Sequence, residues 1–143
     1  MCGIFFVKKT PDNTIEKVNT EFQKGQKRGP DDTQLMDLGE FYLGFHRLSI
    51  NGLNSESNQP FYKNGIYVIC NGEIYNYKEL YSQIGILPQT SSDCEIIIDL
   101  YMLYPIKYFI NLLDGVFSFI IYDTKRGFLI SARDPFGVRP MFY

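Results

Sequence analysis

Tryptophan is absent from this chain, histidine occurs once and cysteine three times. With His46 the sole histidine, a cysteine–histidine nucleophile pair has a single candidate base. Cys2, Cys70 and Cys94 are odd in number and show no Cys-x-x-Cys spacing, which excludes a disulfide framework and a zinc site. Neither Gly-x-x-x-x-Gly-Lys-Ser/Thr nor Gly-x-Gly-x-x-Gly occurs, so no nucleotide cradle is encoded. No apolar stretch approaches the roughly 18 residues of a membrane span. The apolar opening is too short for a signal peptide and lacks a basic flank. A net charge of −2 and a pI near 5.4 leave no footprint for nucleic acid or anionic lipid. These absences predict a cytoplasmic protein that engages neither nucleic acid nor membrane.

Aromatic residues, by contrast, are abundant: 11 Tyr and 12 Phe make up 16% of the 143 residues and favour β-structure. That length suits one domain, able to bury roughly two-thirds of its unfolded surface. Gly3–Val7 is a short apolar strand. Thr10 to Asn13 form a turn, with Asn13 or Thr14 as a helix cap. Ile15, Val18 and Phe22 share one face of a helix ending near Gly25. The segment from Lys27 to Asp32 is a loop, Phe41–Ile50 a strand and Asn51–Pro60 a polar loop. Gly65–Cys70 is a further strand. Helices are predicted over Tyr77–Ile84 and Asp93–Tyr104, the second capped by Ser91, Ser92 or Asp93. A short amphipathic piece covers Ile106–Leu113. Val116–Tyr122 and Phe128–Ala132 flank the turn from Asp123 to Gly127 as a hairpin. The first of these strands is apolar on both faces, which places it inside a layered α+β structure.

Cys2 carries the chemistry most worth weighing. If Met1 is removed, one Cα bears both a thiol and a free amine, with intrinsic pKa values of about 8.5 and 7.7–8.0. So close a match lets the amine take the thiol's proton near neutral pH, directly or through one water, making one residue both nucleophile and base. The alternative is a small hydrophobe opening a buried strand. Myristoylation is not indicated, because its pattern needs glycine at position 2.

Polar clusters recur where strands run out. Asn71-Gly72 offers a side-chain amide and an unhindered backbone N–H, two donors suited to an oxyanion hole for acyl transfer; a plain Asn-Gly turn is the alternative. Arg47 is either a fork for a substrate carboxylate or half of a structural ion pair. Asp93 is either an acceptor for a substrate ammonium or a helix cap. On spacing alone Glu73 and Asp31 are solvated loop acids. His46, alternating to the face opposite Arg47, is a satisfied core histidine. Cys70 and Cys94 are packing residues.

Eight motifs in order resemble the class II glutamine amidotransferases, specifically the glutaminase domain of the asparagine synthetase type. They are Cys2-Gly3-Ile4, Arg28-Gly29-Pro30-Asp31, His46-Arg47-Leu48-Ser49-Ile50, Gln59-Pro60, Asn71-Gly72-Glu73-Ile74-Tyr75-Asn76, Ser92-Asp93-Cys94-Glu95, Asp114-Gly115, and Ala132-Arg133-Asp134-Pro135-Phe136-Gly137. The resemblance runs in register from Cys2 to Tyr143. It implies an N-terminal-nucleophile hydrolase fold, a four-layer αββα sandwich. It also implies that Cys2 attacks the side-chain amide of L-glutamine, its own amine acting as base and then protonating the departing ammonia. Asn71 and Gly72 match the oxyanion hole and Arg47 the carboxylate clamp. Backbone groups of Leu48, Ser49, Ile50 and Asn51 line the pocket, and Glu73 and Asp93 hold the α-ammonium.

Three expectations accompany the resemblance. The domain, residues 2–143, is truncated at its C-terminal strands, and its exposed hairpin edge, with Phe136, Phe142 and Tyr143, makes the chain poorly soluble or marginally stable. No metal or cofactor is expected in this chain; ATP and Mg belong to a synthetase domain or chain, the expected partner, whose Ser-Gly-Gly-x-Asp-Ser loop is missing here. The ammonia feeds asparagine synthesis; a non-catalytic remnant or binding module, or a subunit serving another acceptor, is the competing reading.

Overall fold

Alternation along the strands sets the order of the layers. The computed structural model describes residues 1–143. In chain order the elements are β1 (Gly3–Lys8), α1 (Ile15–Gln23), β2 (Asp32–Asp37), β3 (Phe41–Arg47), β4 (Phe61–Lys63), β5 (Ile66–Ile74), α2 (Tyr77–Ile84), α3 (Ile96–Leu103), α4 (Ile106–Phe109), β6 (Gly115–Asp123) and β7 (Phe128–Arg133). The strands make two sheets, β1-β3-β2 and β4-β5-β6-β7, and every pairing between them is antiparallel.

Successive strand side chains point to opposite faces. Leu43 and Phe45 of β3 therefore pack with Ile69 of β5, and Cys2, Ile4, Phe6 and Ile120 join them between the sheets. The other face of the first sheet receives α1: His46 stacks on Phe22 with ring centroids 4.0 Å apart, and Phe5 meets the same ring at 5.5 Å. Beyond the second sheet, Val68, Cys70, Phe117, Phe119 and Ile121 pack against α2, α3 and α4 in a core of 17 buried residues. Each fully buried Ile, Leu or Phe contributes about 1.5–3 kcal/mol, so this layer holds the second sheet firmly. The result is α1, sheet, sheet, then α2 to α4: the expected four-layer α+β sandwich.

Several boundaries differ from the sequence reading, each for a physical reason. The strand expected to reach Ile50 stops at Arg47, where the chain turns into a loop tied to the Arg47 side chain. β2 was not expected; its Asp32-Thr33-Gln34-Leu35-Met36-Asp37 run has no apolar alternation because it is a half-exposed edge strand. β4, with three residues, is too short to leave a pattern. The Asn71-Gly72 turn is also corrected: β5 runs through both residues to Ile74. Glycine is needed there because a Cβ on Gly72 would overlap the Val116 carbonyl and the Phe117 backbone of β6. The helix expected from Asp93 opens as a 3₁₀ turn, Asp93–Glu95, before α3. Its cap is Ser92, whose hydroxyl accepts the Cys94 N–H at 3.3 Å.

β6 lies inside its sheet and β7 at the edge, as the hairpin predicted. Phe128 and Leu129 on β7 are about half exposed, and Phe136, Phe142 and Tyr143 lie open to solvent. No helix is long and apolar enough to cross a membrane.

Candidate active site

The register of β1 on β3 pairs Gly3 with His46, which brings Cys2 level with Arg47 at one end of the inter-sheet layer. The Leu48 N–H donates to the Cys2 sulfur at 3.4 Å, and the thiol faces the Leu48 carbonyl at 3.5 Å. Burial pushes the Cys2 thiol above its ordinary value, while the Leu48 N–H, the chain's own ammonium and Arg47 pull it down. Arg28 Nε donates to the Cys2 carbonyl at 3.3 Å.

Asn71 reaches the same end from β5. It is 4% exposed, and with Cys2 it lines a cavity of about 380 Å³ that also touches Arg28, Ile120 and Met141. No protein group bonds its side-chain amide. Along β5 the even-numbered residues turn their N–H and C=O toward the β4 side. Gln59 serves Cys70, donating from Nε2 to its carbonyl at 3.2 Å and accepting its N–H at 2.6 Å. Ile74 donates its N–H to Asp93 Oδ2 at 2.7 Å. Gly72 lies between them. Its partner across the ladder, Phe117, directs its own N–H and C=O to Asp134 instead. The Gly72 N–H thus opens beyond the end of β4 with no strand to receive it. Asn71 and Gly72 together present two donors at one end of one strand.

The charged residues resolve differently from their sequence alternatives. Arg47 is buried but pairs with no acid. Its guanidinium donates to the carbonyls of Gly52 and of Asn54 (3.1 Å) and to Asn58 Oδ1, so the ion-pair alternative is overturned and the side chain staples the loop that follows β3. Asp31 is no free loop acid, since it accepts the Ser49 N–H at 2.7 Å and fixes the Leu48–Asn51 segment. Ile50 is exposed at the loop's outer turn. Asp93 is not the helix cap; it is buried, with Oδ1 taking a hydrogen bond from Asn51 Nδ2 at 3.3 Å. Glu73 is likewise not a free loop acid. It sits in β5 with Oε1 3.6 Å from Arg139 Nη2.

His46 behaves as a core residue. Its ring nitrogens bond the Phe22 carbonyl at 2.8 Å and Thr33 Oγ1 at 3.0 Å, on the α1 side and away from Arg47. Cys94 is buried, its thiol against the Gly72 carbonyl at 3.6 Å, and a contact to the Cys70 thiol together with burial holds it well above the ordinary range. The sequence reading assigned no role to Gln59 or Asp134, although their motifs were visible in it, nor to Arg139, two residues beyond the last motif. Gln59 substitutes for a strand partner of Cys70, and the carboxylate of Asp134 gathers the N–H groups of Phe117, Phe136, Val138 and Arg139 at 3.0–3.2 Å.

The chain is similar to known proteins along its whole length. The chain is 39% identical over 150 residues to a probable glutamine-hydrolysing asparagine synthetase of Acanthamoeba polyphaga mimivirus, covering all of this chain and 27% of that protein. It is 38% identical to a glutamine-hydrolysing asparagine synthetase of Sandersonia aurantiaca, over 99% of this chain and 28% of that one. Amidase chyE of Penicillium rubens is 40% identical over 120 residues, which is 81% of this chain and 18% of that protein. The chain spans about a quarter of the length of the asparagine synthetases it matches. The family model described as a glutamine amidotransferase domain matches residues 1–143, and the chain belongs to that family.

Proposed function

We propose that this domain, with Met1 removed, hydrolyses the side-chain amide of L-glutamine to glutamate and ammonia, and that the ammonia serves asparagine synthesis from aspartate and ATP on a synthetase domain or chain. The observation that carries the reading is that Cys2 and Asn71, whose side-chain amide has no protein partner, line one cavity.

The steps follow from the groups present. The freed Cys2 amine takes the thiol proton, offsetting the burial that keeps the thiol neutral. The thiolate attacks the amide carbon, and the oxygen that becomes negative is received by Asn71 Nδ2 and the Gly72 N–H. Such a preorganised donor contributes about 10²–10³ in rate. The ammonium form of the amine gives its proton to the leaving nitrogen, the C–N bond breaks and ammonia departs, leaving a thioester. Water then cleaves the C–S bond, yielding glutamate and the free thiol.

At the other end of the substrate, Arg47 has five N–H donors. Those not engaged with the loop receive the α-carboxylate. Glu73 and Asp93 receive the α-ammonium, beside the backbone of Leu48, Ser49, Ile50 and Asn51. Two fixed ends make chain length decisive: asparagine, one methylene shorter, cannot place its amide on the sulfur. The hydrolysis as proposed draws on no cofactor of this chain, ATP and Mg acting in the synthetase partner, and a free thiol suits a reducing, cytoplasmic compartment. Intact mass paired with ammonia release tests the reading. A chain beginning at Cys2 should release ammonia from glutamine; a folded chain beginning at Cys2 that releases none would refute it and favour a binding module.

A further inference from the structure

We propose that Arg139 is a positioning residue for the ammonium end of this site, holding one oxygen of Glu73 so that the other is presented to the ligand. The inference rests on the reading of Glu73 and Asp93 as the ammonium acceptors.

Glu73 shares a face of β5 with Asn71, two residues away, and lies just outside the cavity that Asn71 and Cys2 line. Its Oε1 lies 3.6 Å from Arg139 Nη2, and the Glu73 side chain is 32% exposed. No other protein group bonds it. A separation of 3.6 Å is an ion pair and not yet a hydrogen bond, so Glu73 is oriented without being saturated. Arg139 in turn has a buried Nε with no partner. Such a donor faces the interior at a cost unless the site uses it.

The backbone that delivers Arg139 is held rigidly. Asp134 is buried, and its carboxylate accepts the N–H groups of Phe136, Val138 and Arg139 as well as that of Phe117 in β6. Gly137, at φ 65°, closes the turn and returns its own N–H to the Asp134 carbonyl at 3.0 Å. The turn is anchored to β6, which pairs directly with β5, so the Arg139 stem and the Glu73 stem are parts of one framework. Charge gives the arrangement its purpose. Glu73 and Asp93 are two like charges at one end of the site, and Arg139 offsets the charge of the one it pairs with.

The test uses the full chain lacking Met1, with substitutions Arg139→Gln, Arg139→Lys, Glu73→Gln and the double variant Arg139→Gln/Glu73→Gln. Hydrolysis is measured on glutamine and on glutaramate, which lacks the α-amino group. Glutamine binding is measured by calorimetry in a Cys2→Ala background, so that the inference is read even if hydrolysis itself is absent. Arg139→Gln should raise KM and Kd for glutamine about two- to five-fold, the range of a partly exposed ion pair, with kcat within about two-fold. Arg139→Lys should recover part of the loss because the charge is kept. In the Glu73→Gln background, and on glutaramate, the effect should vanish. A loss of equal size in the Glu73→Gln background, an equal loss on glutaramate, or a fall in kcat at unchanged KM would overturn the inference. Failure of the wild-type chain to release ammonia while it still binds glutamine would overturn the hydrolysis reading alone; failure to bind glutamine would overturn both.

Discussion

Replacing Asn71 with alanine separates a transition-state role from a structural one, because the side chain makes no hydrogen bond to the rest of the protein. Truncation orphans no partner, so the large penalty of a buried unsatisfied group does not arise. What is lost in stability is packing of one polar side chain, less than about 1 kcal/mol, or roughly 3 °C in Tm for a domain of this size. The binding contacts proposed for glutamine lie elsewhere, at Arg47, Glu73 and Asp93, so KM should stay within about three-fold. The oxyanion, in contrast, loses one of two donors. Turnover should fall by about 10²–10³, equivalent to roughly 2.7–4 kcal/mol of barrier. Steady-state ammonia release across a range of glutamine concentrations, with a thermal melt on the same preparation, reads all three quantities. A variant that melts normally and changes only KM would refute the oxyanion assignment.

Two further outcomes are expected. Cys2→Ser should nearly abolish hydrolysis, whereas His46→Gln, which breaks the stack on Phe22 and the bond to its carbonyl, should lower stability by about 1–3 kcal/mol and spare most turnover in the folded fraction; equal loss of activity in both would revive a cysteine–histidine pair. Burial pushes the Asp134 carboxyl up, but four backbone N–H groups outweigh it and hold it below the ordinary value. A carboxylate depressed in the folded state stabilises above its unfolded pKa of about 3.9 and is lost as pH falls through the folded value, so Asp134→Asn should lower Tm at pH 7 and the difference should shrink toward pH 3. A pH-independent gap between the two melting curves would contradict that account.

The chemistry proposed for this protein rests on residues legible one by one, its geometry only in part. Cys2 beside the amino terminus, Asn71-Gly72 after an apolar run, and Arg47 next to His46 are local patterns whose meaning depends on bond connectivity and strand alternation. Both operate over a few residues. The helices Ile15–Gln23 and Tyr77–Ile84 were visible for the same reason, since their apolar faces repeat within one or two turns. β2 and β4 were not visible, although each pairs with the next strand through a short turn, because a half-exposed edge strand needs no apolar alternation and three residues are too few to show one.

Ordered motifs and local periodicity in the chain were enough for the family and the α+β layering, and they marked Cys2 as the nucleophile proposed above. Only the tertiary structure decided what the polar residues hold. Arg47 looks like a free fork along the chain, yet its donors go to loop carbonyls five and seven residues ahead and to Asn58 beyond them. Asp93 looks like a cap until Ile74 and Asn51 arrive at its two oxygens. Arg139 carries no signal that points to Glu73, 66 residues earlier; they meet because β5 and β6 are paired and Asp134 pins the turn to β6. A hydrogen bond or ion pair spanning tens of residues depends on where strands pair and turns close, and no local pattern encodes that.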